Sequence, residues 1–173
     1  MPINSASAAG RAPELPIAIA ASGPRSARMA GQIGDGLIGL SDDRDVVETF
    51  ETSGGQGKPK RTQISVCWGA DQLEAERLAH RLWPVVALEG TRFAGLRTPA
   101  EVKSACSEVT LEDVAAAIVC GPDPERYHEM IRSCREAGYD EVALHQIGPD
   151  QSGFFEFWKR ELRPRYASKW DSA

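Results

Sequence analysis

Apolar and polar positions along this chain fall into blocks that predict strand, turn and helix in repeated order. Pro16 to Ala21 is a short apolar run of the kind expected of a fully buried parallel strand. Ser22-Gly23-Pro24 breaks it, and Pro24 is pre-set for the first turn of a helix. Ala27, Ala30 and Ile33 give that helix an apolar stripe, Gly34 suits a left-handed C-cap, and Gly36 to Leu40 begins a second buried run. Asp43 to Thr52 reads as a helix with Val46, Val47 and Phe50 on one side. The stretch from Ser53 to Lys60 is a surface loop whose charges are most simply solvated. Arg61 to Trp68 alternates and then runs apolar, as a strand does. Asp71 to Leu82 follows as a helix with Leu73, Leu78 and Leu82 inward, ended by Pro84.

Residues 84–109 are the least regular part and predict a long excursion of the sort that serves as a lid or binding loop. Thr110-Leu111-Glu112-Asp113 resembles a capping box with Asp in place of Glu, opening a short helix through Ala117. Ile118 to Gly121 leads into Pro122-Asp123-Pro124, the start of a long helix ending at Gly138. Glu141 to His145 is a short buried strand, and Asp150 to Leu162 closes the pattern as an amphipathic helix bearing Phe154, Phe155, Phe157 and Trp158. Strand–helix alternation of this kind, about four times over, builds a parallel sheet with helical crossovers. A complete (β/α)8 barrel takes about 250 residues, so four units make half of one. An open doubly wound sheet is the competing architecture. The domain reading is a disordered Ala/Ser/Gly-rich lead-in over 1–13, a folded unit over 14–166 and a tail over 167–173.

With 173 residues, 42% hydrophobic and 26% charged, the composition is that of a soluble globular domain. A net charge of -5 gives poor electrostatic footing for nucleic acid. Cys67, Cys106, Cys120 and Cys134 form no close pair of the C-x-x-C kind and read as reduced, mostly packed thiols of a cytoplasmic protein, with no ligand spacing for a metal. No apolar run approaches the roughly 20 residues needed to span a bilayer, so no membrane partner is expected. The opening Met1 to Pro13 lacks the basic and apolar regions of a secretory signal.

The candidate chemistry lies at strand ends. A turn of small residues such as Ser22-Gly23 between strand and helix leaves backbone amides free to hold an anion such as phosphate. The alternative is a tight corner selected for packing alone. His145 ends a strand and is followed by Gln146 and Asp150. Its imidazole is placed either to hydrogen-bond a substrate or to tie down the last loop. Trp68 ends another strand at the same mouth, where it stacks on a ring or fills the core. His80 and His128 sit in surface helices and read as unremarkable, and Asp35 organises the Gly34-Asp35-Gly36 turn.

Three segments together resemble the luciferase-like monooxygenase superfamily, in its branch of oxidoreductases that use the deazaflavin coenzyme F420. The first is Ala20-Ala21-Ser22-Gly23-Pro24 followed by Ala30-Gly31-Gln32-Ile33-Gly34-Asp35-Gly36-Leu37-Ile38. The second is Cys120-Gly121-Pro122-Asp123-Pro124-Glu125-Arg126. The third is Ala137-Gly138-Tyr139-Asp140-Glu141-Val142, running into His145-Gln146-Ile147-Gly148-Pro149-Asp150-Gln151 and the Phe-rich helix. Their order matches the C-terminal half of such proteins, from about Pro16 to Arg165.

The resemblance implies an α/β fold that is a partial (β/α)8 TIM barrel, about four C-terminal β/α units. It implies hydride transfer between coenzyme F420 and a small organic substrate, with an FMN-dependent monooxygenase as the close variant. Ala21, Ser22, Gly23 and Ser41 then fall beside the cofactor, Ser41 equally suiting the N-cap of the next helix. His145, Gln146 and Trp68 fall at the substrate mouth. Sugar-phosphate-oxidising relatives carry basic residues in this half, but Ala115, Ala116 and Ala117 stand where they would be sought, leaving Arg92 and Arg97 as anion contacts. The N-terminal half of the family's barrel, which supplies much of the ring pocket and the acid/base residues, has no counterpart here, so no catalytic residue is assigned. A truncated or half-length form is expected. The rival reading is a non-catalytic half-barrel that pairs with itself, as a homodimer, or with a separately encoded N-terminal half. A small open-sheet nucleotide-binding module is a third, opposed by the lack of G-x-G-x-x-G after any strand.

Overall fold

The alternating and then apolar run around residue 64 forms the longest strand, β3 (Lys60–Cys67), and the sheet is organised around it. The computed structural model describes residues 15–88 and 95–166; the lead-in over 1–13, the tail over 167–173 and Arg92 lie outside the described residues. β1 (Ala18–Ala20) pairs with β2 (Gly36–Gly39), and β2 with the start of β3. β5 (Glu141–Gln146) runs along the whole opposite edge of β3. The two-residue β4 (Val119–Cys120) pairs with the end of β3, at Val66 and Cys67. Every pairing is parallel. Because β5 occupies one edge of β3 from Arg61 to Val66, β2 and β4 must share the other, with a gap between them at residues 63–65.

The sheet's two faces are treated differently. Successive side chains of a strand point to opposite faces. Thr62, Ile64 and Val66 of β3, with Val142 and Leu144 of β5, meet helices α1 (Pro24–Ile33), α2 (Arg44–Phe50), α6 (Pro124–Ala137) and α7 (Gln151–Phe157). Leu37, Val46, Val47, Phe50 and Cys134 fill one core there, and Tyr127, Phe154, Phe157 and Leu162 fill a second. Each such large apolar side chain contributes roughly 1.5–3 kcal/mol by leaving water. On the other face Arg61, Gln63, Glu141 and Ala143 are exposed, and no described helix lies over them. Among the described residues only the carboxyl ends on that face are covered, by a cap of α3 (Gln72–Leu82), α4 (Pro99–Cys106) and α5 (Leu111–Ala117) closing over Cys67 and Cys120. The observed architecture is thus α/β with an open, partial-barrel-like parallel sheet.

Helix limits follow local chemistry. Asp43, Asp71, Thr98, Thr110, Asp123 and Asp150 each accept a backbone amide of the first turn of α2, α3, α4, α5, α6 and α7. Thr110 with Asp113 makes a complete capping box. Gly138 adopts φ 106°, ending α6 as expected.

Several expectations are corrected. The strand expected over Pro16 to Ala21 is only three residues and largely exposed, because it is an edge strand with one face uncovered. Gly34 is extended (φ −85°) rather than left-handed. It is held small by the crowding of Ala30 and Gly36 carbonyls and Ile19, 2.8–3.2 Å from where a Cβ would lie. Ile33 is 74% exposed; the buried stripe of α1 is Ala27, Ala30 and Gly31. In α3 Leu78 packs inward as expected, but the fully buried residues are Ala75 and Ala79 while Leu73 and Leu82 are exposed, because the helix sits close upon Cys67 and Cys120. Leu40 is exposed at the end of the second run, and Glu141 to Gln146 is a half-covered strand.

The 84–109 stretch contains a short 3-10 turn (Pro84–Ala87) and α4, whose Thr98/Glu101 capping box is present in the sequence. The 53–60 loop is not simply solvated. The Lys58 ammonium donates to the carbonyls of Gly31 and Gly34 at 2.8 and 2.9 Å, and the buried Lys60 pairs with Glu51 at 3.0 Å and Asp140 at 3.7 Å. The closing helix opens into a wider turn over Trp158–Leu162. Phe154 and Phe157 point inward, and Phe155 and Trp158 outward.

His128 is buried, not a surface residue. Its Nδ1 lies 2.8 Å from the Tyr166 hydroxyl, and burial followed by the Arg165 charge holds its pKa below the usual histidine value. His80 is half-buried, its Nε2 at 2.8 Å from the Val109 carbonyl.

Candidate functional site

Parallel strands all end on one side of the sheet, so the residues after β1, β2, β3 and β5 converge there. After β1, the buried Ala21 gives its amide to the Ile38 carbonyl at 2.9 Å. The next two amides, of Ser22 and Gly23, donate to no acceptor among the described residues. Gly23 is the N-cap of α1, whose first turn carries no acidic residue. The positive end of that helix and two free amides are groups of the kind that hydrogen-bond an anion. A cleft of about 570 Å³ beside it is also lined by Asp43, Asp45 and Glu48, carboxylates that oppose an anion on that side.

After β2, Ser41 is exposed and its carbonyl accepts the Thr62 hydroxyl at 2.9 Å. Asp43, not Ser41, caps α2 through the amide of Val46 at 3.2 Å, so the Ser41 hydroxyl stays out of the cap.

His145 lies on the open face directly opposite Ser65, with its Nδ1 3.3 Å from the Ser65 hydroxyl. Trp83, just past α3, meets the His145 ring edge-on at 5.5 Å. This group sits beneath the cap at the mouth of the sheet.

Gln146 and Trp68 are turned the other way. The Gln146 side chain accepts the Trp68 amide at 2.8 Å and donates to the Trp68 carbonyl at 3.2 Å, joining the ends of β3 and β5. Trp68 packs on Phe157 at 5.9 Å, its indole Nε1 buried without a hydrogen-bond partner among the described residues. The structure therefore brings His145 to the open mouth, sets Ser22, Gly23 and Ser41 at neighbouring strand ends, and pairs Gln146 with Trp68 on the helix side. Ser65 and Trp83 escaped sequence reading. Ser65 stands 80 residues from His145 and meets it only through strand register. The signal for Ser65 was its place in an alternating strand; for Trp83 there was none.

Between the ends of β2 and β4 lies a cleft of about 310 Å³. Ser41, Asp42, Ser65 and Arg126 supply its polar side chains, and Ala115, Ala116 and Ala117 form much of its wall. The Arg126 guanidinium donates to the Cys120 carbonyl at 3.2 Å. Cys134, at its base, is pushed up to about 11 by burial and by the Asp42 charge. Arg97 lies outside this cleft, its amide donating to Glu101 at 2.6 Å. Among the described residues there is no cluster suited to a metal ion, and no helix is long and apolar enough to cross a membrane.

An open parallel sheet with its polar groups at the carboxyl ends is the arrangement of an α/β protein that binds small molecules there. The family model described as luciferase-like monooxygenase matches residues 2–141, and the chain belongs to that family. It is 30% identical over 166 residues to an F420-dependent glucose-6-phosphate dehydrogenase of Nocardia farcinica, covering 87% of this chain and 48% of that protein. The match to F420-dependent glucose-6-phosphate dehydrogenase 2 of Rhodococcus jostii has the same identity and coverage. The chain thus spans about half the length of the curated relatives it matches. In fold it is similar to an F420-dependent secondary alcohol dehydrogenase solved with an F420-acetone adduct. The TM-score is 0.71 at 21% identity, over 86% of this chain and 48% of that one. It is also similar to the coenzyme F420-dependent tetrahydromethanopterin reductase of Methanopyrus kandleri. There the TM-score is 0.55 at 20% identity, over 87% and 51% of the two chains.

Proposed function

We propose that this chain is an oxidoreductase component that binds coenzyme F420 and transfers hydride between it and a small organic substrate. The reading takes the folded residues as the four C-terminal β/α units of a luciferase-like barrel. The observation that carries it is the 30% identity, over 87% of the chain, to proteins named for F420-dependent dehydrogenation.

The residues present fit the group. The unpaired amides of Ser22 and Gly23, at the positive end of α1, would take the anionic tail of the coenzyme, with Ser41 at the next strand end alongside. When bound, the deazaflavin supplies the hydride chemistry. Gly23 offers its backbone without obstruction, since even an added Cβ would meet nothing within 4 Å. His145, steadied by Ser65 and Trp83, presents a ring nitrogen to hold a substrate oxygen or its proton. The cap of α3 to α5 would exclude water from that end. Trp68 and Gln146 serve this site by locking the ends of β3 and β5.

Titration of F420 with this protein tests the reading. Saturable quenching of deazaflavin fluorescence is expected, and no change at high micromolar protein would reject F420 binding by this polypeptide.

The uncovered sheet face favours a second reading, a half-barrel that works by association with a second copy or with a complementary half. Parallel sheets are normally covered on both faces. Here Ile17 is 65% and Leu40 60% exposed, at the free edge and on the open face. A monomer in analytical ultracentrifugation, unchanged in the presence of a separately produced N-terminal half of a relative, would remove that reading.

A further inference from the structure

Cys67 and Cys120 are far apart in the chain and meet in the sheet. They end β3 and β4 and are direct partners in the parallel register, one pair beyond Val66 and Val119. Partners in a ladder point to the same face, here the one under the cap of α3 to α5. Both are fully buried, and both are free thiols. Neighbouring strands run about 4.8 Å apart, inside the roughly 4.4–6.8 Å of Cα separation that a disulfide spans. The Gly121 amide, donating to the Cys67 carbonyl at 3.0 Å, holds the two residues side by side. β4 is two residues long and pairs with β3 alone among the described strands, so little ladder resists the small approach that an S–S bond requires.

The two thiols are also unequal. The Cys120 S–H donates to the Cys67 sulfur, which holds the Cys67 pKa below the usual thiol value against the opposing effect of burial. The same hydrogen bond, then burial and the Cys67 charge, push Cys120 up; Glu76 adds to this and the Arg126 guanidinium opposes it. One sulfur is thus poised as the thiolate and its neighbour as the proton-bearing partner. The cleft of about 310 Å³ between β2 and β4 is lined by Val119, the residue next to Cys120, and by Arg126. It brings a small oxidant to the flank of the pair, while full burial excludes a bulky one.

We propose that Cys67 and Cys120 are a redox-reactive dithiol that hydrogen peroxide converts to a disulfide tying β4 to β3 beneath the cap. The Cys67 sulfur attacks one peroxide oxygen, the O–O bond breaks, and a sulfenic acid forms while the other oxygen leaves as water with the Cys67 proton. The Cys120 sulfur then attacks Cys67 Sγ, the S–O bond breaks, and the hydroxyl leaves as water with the Cys120 proton. Two thiols give up two electrons, and one peroxide becomes two waters. Cys106, partly exposed and packed against the same cluster, is the competing thiol, whereas Cys134 belongs to the other core. The inference does not rest on coenzyme binding.

The test treats the folded, reduced chain with hydrogen peroxide, removes the oxidant with catalase, and unfolds the protein in iodoacetamide before digestion and mass spectrometry. The expected product is a Cys67 peptide joined to a Cys120 peptide, lighter by two hydrogens than the free peptides together and cleaved by dithiothreitol. The Cys106→Ala/Cys134→Ala variant should form the same link. Once oxidised, it should unfold at a higher urea midpoint than when reduced, because a cross-link constrains the unfolded chain. The proposal is overturned if Cys67 and Cys120 both remain alkylated while free cysteine in the same solution is fully oxidised. It is equally overturned if Cys67 links instead to Cys106 or to a second molecule, or if the oxidised variant unfolds no later than the reduced one.

Discussion

The two faces of the sheet are made from the same strands and have opposite fates. Along β3, Thr62 and Val66 are buried under helices while Arg61 and Gln63, one residue away, stand in the open. The covered face is apolar, filled and reinforced from four helices, so its residues answer to packing. The open face is polar, holds the Arg61–Glu141 pair and the Ser65–His145 contact, and leaves its side chains available for chemistry. The contrast separates residues that hold the fold from residues that are free to bind.

The largest expected effect lies on the covered face. Phe50 is fully buried between α1, α2 and the turn after it, and Phe50→Ala should cost about 3–5 kcal/mol in urea unfolding. A loss under 1 kcal/mol would mean that this face is not the packed one. Lys60→Met comes next. It strips Glu51 and Asp140 of their buried cation and should cost about 1–3 kcal/mol by the same measurement, mostly erased in a Lys60→Met/Glu51→Gln double variant.

At the strand ends the two properties should part company. Gly23→Asp puts a carboxylate at the N-cap of α1, where Asp caps better than Gly. Stability should rise by about 0.3 kcal/mol while F420 affinity falls about tenfold, read by thermal melting and fluorescence titration. Equal affinity would remove the turn from the cofactor site.

His128 supplies a pH-dependent test. Its folded-state pKa is depressed, so the stability it contributes is fully present above its unfolded value near 6.5 and is lost as pH falls through the lower folded value. Unfolding free energy should therefore decline as pH falls below about 7, and less steeply in His128→Phe. The smallest effect belongs to the open face, where Arg61→Met should change stability by under about 1 kcal/mol, since both partners of the pair are exposed. A larger loss would show that something covers this face in solution.

Much of the fold was legible because its signals are local. Asp43, Asp71, Thr110 and Asp123 announced helix starts within a few residues of themselves, and Gly138 announced an end. Thr98-Pro99 with Glu101 carries the same signal for α4, amid irregular residues that give it no periodic context. The errors arose where a residue's environment depends on distant elements. Leu73 and Ile33 sit at plausible inward positions, but the helices are rotated to bring alanines and a glycine onto their neighbours. Lys60 looked like a loop charge because Asp140, its partner, is far along the chain. Of the site, the Ser22-Gly23 turn and His145 were readable as strand ends, whereas which side of the sheet Gln146 and Trp68 occupy was not.

Taken alone, the chain's order of apolar runs, caps and turns determined that parallel strands alternate with helices and that small residues follow the first strand. These depend on interactions spanning a handful of residues. Tertiary structure alone decided which face of the sheet is covered, that Ser65 meets His145, and that β2 and β4 part to leave a cleft between Asp42 and Arg126. The reason is physical: strand register and helix rotation are set by packing between segments tens of residues apart, and no local preference encodes them.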